Sequence, residues 1–210
     1  MARRQNAGRG RRGRAWDAGQ GNLAATLLLT LDKPAIEAAQ LAFVAALAVA
    51  DLAGAHVVAQ AVALKWPNDV LVSGRKAAGI LIETGAAGAG GLWLAVGIGV
   101  NLANFPDDVE RPATALAEHG EAPSPEQAMS GLSAAFAYWL DLWLQEGFEP
   151  IRAAWTARAW GLGGPCTARL PRETVEGLAQ GLDADGALLI RLPGGELRRI
   201  AAGDVFFGET

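Results

Sequence analysis

The stretch Lys65-Trp66-Pro67-Asn68-Asp69-Val70-Leu71-Val72-Ser73-Gly74-Arg75-Lys76-Ala77-Ala78-Gly79-Ile80-Leu81-Ile82-Glu83 decides how the chain reads. Two apolar runs, Asp69–Val72 and Ala78–Glu83, flank the turn residues Ser73-Gly74-Arg75-Lys76, which predicts an antiparallel hairpin. Upstream, Val62–Trp66 reads as a short strand that Pro67 halts. Further upstream, Asn22–Leu31 is a strand-like apolar run. Downstream, Leu92–Asn101 reads as a central strand whose alternating Gly97 and Gly99 admit another backbone or a ligand.

Helices lie between and after these strands. Asp32 as cap with Pro34 in the first turn starts one that Gly54 stops, and its run Leu41–Ala53 is too short and alanine-rich for a membrane span and reads as a buried helix. A short helix is expected near Ala113–Glu118, a long one from Ser124-Pro125-Glu126 to Gln145, and another over about Pro150–Ala159. Trp139, Trp143, Trp155 and Trp160 in this region are expected in the core. Gly161-Leu162-Gly163-Gly164-Pro165 punctuates the chain. Beyond it, turn signals at Leu182–Gly186, Pro193–Glu196 and Ala202–Asp204 recur about every ten residues, as in a small β-barrel or meander.

Apolar residues make up 51% of the 210, enough for a core that needs neither metal nor disulfide. The single cysteine, Cys166, excludes an internal disulfide and fits a reducing, cytoplasmic setting. The net charge of −4 conceals a basic pole: Arg3, Arg4, Arg9, Arg11, Arg12 and Arg14 open the chain, leaving 12 basic against 22 acidic residues elsewhere. Such a pole draws an anion locally, and no broad nucleic-acid surface is expected. His56 and His119, the only histidines, mark no triad, and neither a zinc spacing nor a Walker-type phosphate loop occurs.

Three constellations carry chemistry. In Gly8-Arg9-Gly10-Arg11-Arg12-Gly13-Arg14-Ala15-Trp16, guanidinium forks suited to phosphate or carboxylate alternate with glycines that let a loop fold over a ligand. A disordered Arg-Gly tail that binds RNA has the same composition, although an apolar strand follows within ten residues. Lys65, fixed by the proline two residues on, can meet the charge of a phosphoryl or acyl-phosphate group, or be an exposed turn lysine, with Asn68-Asp69 capping the turn. Asn101, closing Val96-Gly97-Ile98-Gly99-Val100-Asn101, has an amide able to read an adenine or ribose edge, while the glycines also suit tight packing.

Taken in order, these segments resemble the biotin–protein ligase family, as do Arg75–Glu83, Ala113-Thr114-Ala115-Leu116, Gly147-Phe148 and the tail from Gly181 to Val205. The resemblance implies an α+β fold: a mixed, largely antiparallel sheet with flanking helices, class II synthetase-like, plus a small C-terminal SH3-like β-barrel. It implies a catalytic domain over 1–162 and a barrel over 163–210. It implies ATP-dependent ligation of biotin to a carrier lysine through biotinyl-5′-AMP, with Mg2+ arriving as Mg-ATP. The partner would be the biotin carboxyl carrier protein of a biotin-dependent carboxylase, and a homodimer is compatible with the family. Neither nucleic acid nor membrane is expected as a partner.

By the same resemblance, Gln5, Gly8, Arg9, Gly10, Arg11 and Lys65 hold biotin or its activated form, with Lys65, Arg9 and Arg11 catalytic. Arg14, Trp16, Asn68 and Asn101 serve the adenylate. By the resemblance, family members carry roughly forty further catalytic-domain residues before the loop, including a Ser-Thr-Asn-like motif, so missing N-terminal elements are expected here. A non-catalytic biotin or adenylate binder and a lipoyl- or octanoyl-handling relative are the competing readings.

Overall fold

The computed structural model describes residues 5–17, 19–88, 91–106 and 112–208. Arg3 and Arg4 of the basic pole, and part of the glycine-rich stretch before Leu92, lie outside them. The first sheet has the order β1-β5-β4-β3-β2, formed by β1 (Leu23–Leu31), β5 (Leu92–Val100), β4 (Arg75–Ala86), β3 (Asp69–Val72) and β2 (Val62–Lys65). Every ladder between these strands is antiparallel, and parallel pairing is confined to the isolated bridges Leu64–Ala159 and Lys76–Ala113. The hairpin expected around Ser73–Lys76 is β3–β4, turning through Ser73 and Gly74 at φ 49° and 75°. β5 lies between β1 and β4, and β4 is the middle strand of the five.

The helix expected from Asp32 divides in two. Pro34 stays extended at ψ 150°, α1 occupies only Ala35–Ala38, and α2 runs Leu41–Gly54. No side chain caps either helix, so Asp32 is not the cap that its position suggested. α2 is apolar on every side, which fits a helix buried all round. One side packs on β2–β5 and the other on α3 (Pro125–Glu146) and α4 (Phe148–Thr156). By length and composition Ala35–Gly54 passes as a membrane span, yet most of it is consumed by this packing.

The polar groups flanking α2 are matched to indoles. Trp143 Nε1 donates to Gln40 Oε1 at 2.9 Å, and Trp139 Nε1 donates to Asp51 Oδ2 at 2.6 Å. α3 starts on a reciprocal cap: Gln127 N–H donates to Ser124 Oγ while Ser124 N–H donates to Gln127 Oε1. Trp139, Trp143 and Trp155 are buried as expected. Trp160 is not; it lies 43% exposed beside Gly74, past the end of α4 where no further layer covers it.

The turn Gly161–Gly164 leads to a second antiparallel sheet, of order β10-β6-β7-β8-β9. Its strands are β6 (Pro165–Arg169), β7 (Thr174–Leu182), β8 (Leu188–Arg191), β9 (Leu197–Ile200) and β10 (Asp204–Phe207). Buried Trp66 reaches across to it, donating Nε1–H to Gly186 O at 3.0 Å. Gly186 has φ 89° and sits so close to Phe43 that a Cβ would come within 2.7 Å of Cε2. Arg152 adds a bond to Leu182 O at 3.1 Å. Trp66→Phe strands the Gly186 carbonyl and should cost about 1–3 kcal/mol, lowering Tm by roughly 3–10 °C in differential scanning calorimetry. An unchanged Tm would show that this contact does not hold the sheets together.

Candidate active site

The Gly/Arg segment folds as a tight hairpin over one face of the first sheet. Arg9 and Ala15 bridge, Trp16 N–H donates to Gly8 O at 2.9 Å, and Gly10 N–H donates to Arg14 O at 2.7 Å. Arg12 and Gly13 at its tip both take positive φ, 57° and 73°. Gly8 is buried where a Cβ would overlap the Trp16 carbonyl, so its role is to let the two arms of the hairpin close.

Beneath the hairpin the sheet is bare. Gly79 of β4 and Gly99 of β5 are register partners. The Trp16 ring lies on that patch, and a Cβ on Gly99 would overlap the indole. Between hairpin and sheet opens a cavity of about 620 Å³. Gln5, Arg9, Gly10, Arg11, Arg14 and Trp16 line it from the loop, Asn68 and Asp69 from the start of β3, and Asn101 from the end of β5. Gly8 and Lys65 do not line it.

The lysine in the cavity is Lys76. Its Nζ lies 2.5 Å from Asp69 Oδ1 and 5.5 Å from the Trp16 ring centroid. Strict alternation along β4 would put Lys76 and Gly79, three residues apart, on opposite faces. The β3–β4 register prevents that: Val70 pairs with Ala78 and Leu71 with Lys76, so Ala77 is an extra residue in a bulge. The bulge returns Lys76 to the face that Gly79 and Asp69 share. Lys65 pairs with Asp69 and so occupies the same face, but one strand further out on edge strand β2. There Phe207 of β10 covers it, with Nζ 5.9 Å from the ring centroid. Lys65, expected at the reacting centre, therefore does not line the cavity, and Lys76 does.

Asn68 does not simply cap a turn. Its Nδ2 donates to Ile80 O at 2.7 Å, and its Oδ1 accepts Arg11 Nη1 at 3.3 Å, which aims the guanidinium along the cavity wall. Burial pulls Arg11 below the ordinary guanidinium pKa, and the charges of Asp204 and Asp69 oppose that. Asn101 is 3% exposed and donates Nδ2–H to Thr114 O at 3.0 Å. Its Oδ1 is buried without a partner among the described residues. An orphaned acceptor on a cavity wall suits a ligand that brings a donor. Behind it, the Thr114 hydroxyl donates to Glu118 Oε2 at 2.6 Å and meets His119 Nε2 at 2.8 Å, which fixes the segment Asn101 leans on. The Thr114 bond is the largest of the influences holding the Glu118 carboxyl below the usual range.

Guanidinium and ammonium groups and an amide oxygen without a partner among the described residues line one cavity, an arrangement that suits an anionic ligand bearing a hydrogen-bond donor. Comparison with known proteins agrees with that class. The Biotin/lipoate A/B protein ligase family matches residues 1–101, and the Biotin protein ligase C terminal domain matches residues 161–208. The chain is 47% identical over 215 residues to a biotin–[acetyl-CoA-carboxylase] ligase of Paracoccus denitrificans, covering 99% of this chain and 89% of that protein. A ligase of the same name from Mycobacterium tuberculosis is 32% identical over 98% of this chain and 77% of its own length. The biotin protein ligase of Aquifex aeolicus in complex with biotin and ATP superposes with a TM-score of 0.82 at 26% identity, over 98% of this chain and 87% of that one. The chain belongs to the biotin protein ligase family.

The bare glycine patch yields a test of its own. Gly99→Ala should push Trp16 off the sheet, so limited proteolysis within residues 5–17 should quicken about fivefold or more while the far-ultraviolet dichroism stays unchanged. Equal cleavage of both proteins would mean that the patch does not seat the loop.

Proposed function

We propose that this chain activates biotin with ATP and transfers it to a lysine of a biotin carboxyl carrier domain. What carries the reading is the placement of Arg9, Arg11 and Lys76 around one cavity that Asn101 also lines. The relatives named above are ligases for acetyl-CoA carboxylase, and the Aquifex aeolicus structure holds biotin and ATP together.

In the first step a carboxylate oxygen of biotin attacks the α-phosphorus of ATP, and the bond to the bridging oxygen breaks as pyrophosphate leaves. In the second step the carrier lysine, as the free amine, attacks the acyl carbon. The acyl–oxygen bond breaks, AMP leaves with the electron pair, and the amine gives up a proton. Charge builds on phosphoryl oxygens and then on the acyl oxygen, so prearranged cations are the main catalytic resource. Lys76 meets the carboxyl and acyl-phosphate oxygens, while Asp69 holds its ammonium in place. Arg9 and Arg11 hold the anionic intermediate, and Trp16 and the hairpin exclude water. Asn101 Oδ1 accepts a hydrogen bond from the adenine amino group. No cluster of three His, Cys, Asp or Glu forms among the described residues, and Mg2+ enters on the triphosphate.

The chain incubated with Mg-ATP, biotin and a carrier domain should yield a streptavidin-reactive carrier. Octanoate or lipoate in place of biotin should yield no acylated carrier. Lys76→Ala should lower biotinyl-AMP formation about 100-fold with the fold intact, and Lys65→Ala should change it no more than about threefold. No labelled carrier from the unsubstituted chain would overturn the ligase reading. The reverse order of the two lysine effects would return the central role to Lys65.

A further inference from the structure

Arg9, Arg11 and Arg14 line the cavity, as does Asp204 of the second sheet, and it is to this residue that Arg12 and Arg14 reach. Asp204, the first residue of β10, accepts Arg14 Nη2 on Oδ1 at 2.6 Å and Arg12 Nη1 on Oδ2 at 2.9 Å. Its side chain is only 14% exposed, against 42% and 45% for the two arginines. The preceding Gly203 offers its carbonyl to Arg11 Nη2 at 3.2 Å. Three arginines of the loop therefore end on two adjacent residues nearly two hundred positions away.

That corner is firmly built. Asp204 pairs with Arg169 in the β10–β6 ladder, and Gly203 is buried against Leu170. The hairpin's own backbone bonds tie it to itself, so side chains attach it to the rest of the protein: Trp16 at the base, Arg11 on Asn68, and this corner at the tip. Arg12 needs the tie most, because a non-glycine residue at φ 57° is held against its backbone preference.

We propose that Asp204 is a positioning residue for the ligase reaction: by gripping Arg12 and Arg14 it holds the hairpin shut, so that the biotinyl-adenylate is retained until the carrier lysine arrives. It touches neither reacting carbon nor phosphorus in this role and acts through the loop. The requirement comes from the chemistry. A mixed anhydride that escapes, or that meets water, is lost before the second step. The loop must also open once per turnover to admit biotin and release product. Two guanidinium partners that are 42% and 45% exposed suit that, since ion pairs open to water are individually weak and reversible.

This inference rests on the ligase reading, and two measurements separate them. Synthetic biotinyl-AMP bound to the intact chain should dissociate about three- to tenfold faster from Asp204→Asn, with Asp204→Glu within about twofold of the unsubstituted chain. Combining Asp204→Asn with Arg12→Gln should add little beyond Asp204→Asn alone, as expected of partners in one contact. Without any ligand, amide hydrogen exchange over residues 5–17 should be faster in Asp204→Asn, with exchange in β4 and β5 unchanged. Unchanged dissociation and exchange in Asp204→Asn, or additive effects in the double variant, would overturn the positioning role. A chain that makes no adenylate refutes the ligase reading while the exchange measurement still decides whether Asp204 holds the loop.

Discussion

The structure turns on keeping several positive charges together around one cavity before any ligand is present. Two unit charges 4 Å apart interact by about 4 kcal/mol at the effective dielectric of a protein surface. Left alone, the loop arginines and Lys76 would drive one another into solvent. Four of them have a fixed counter-group instead: Asp69 for Lys76, the Asn68 amide oxygen for Arg11, and Asp204 for Arg12 and Arg14. These partners come from β3 and from β10, so the charge arrangement needs both sheets.

Main-chain geometry supplies the room. Gly79 opposite Gly99 leaves a patch of sheet without side chains, and Trp16 fills it as the footing of the loop. One extra residue, Ala77, turns Lys76 onto the same face. The apolar helix α2 buries the other side of the sheet, so the cavity floor is packed into the core while the loop lies above it on the surface. An activation followed by a transfer has that need: fixed charges below and a cover that opens between steps.

Much of this was legible in the residues. The apolar runs on either side of Ser73-Gly74-Arg75-Lys76 announced the antiparallel hairpin, Ser124-Pro125 marked the start of the long helix, and the turn signals after Gly161 announced a second β unit. Arg9, Arg11, Trp16, Asn68 and Asn101 do converge on the cavity. Lys76 was missed because a bulge breaks the parity on which strand reading depends, and Lys65 was favoured because a proline close by made it look fixed. The Arg75–Glu83 segment did carry a signal, since a lysine three residues before a glycine shares its face only if the strand is irregular. Asp204 had no local signal, because its partner Arg14 lies 190 positions away. Trp160 shows the limit of composition, since a tryptophan just past a helix end is buried only where another layer covers it.

The central claim is that this cavity joins biotin to the α-phosphate of ATP by positioned charge. Exchange of labelled pyrophosphate into ATP, measured without any carrier protein, tests it most directly. The account predicts exchange that requires biotin and Mg-ATP together. Exchange that proceeds without biotin, or none with both present, would contradict it.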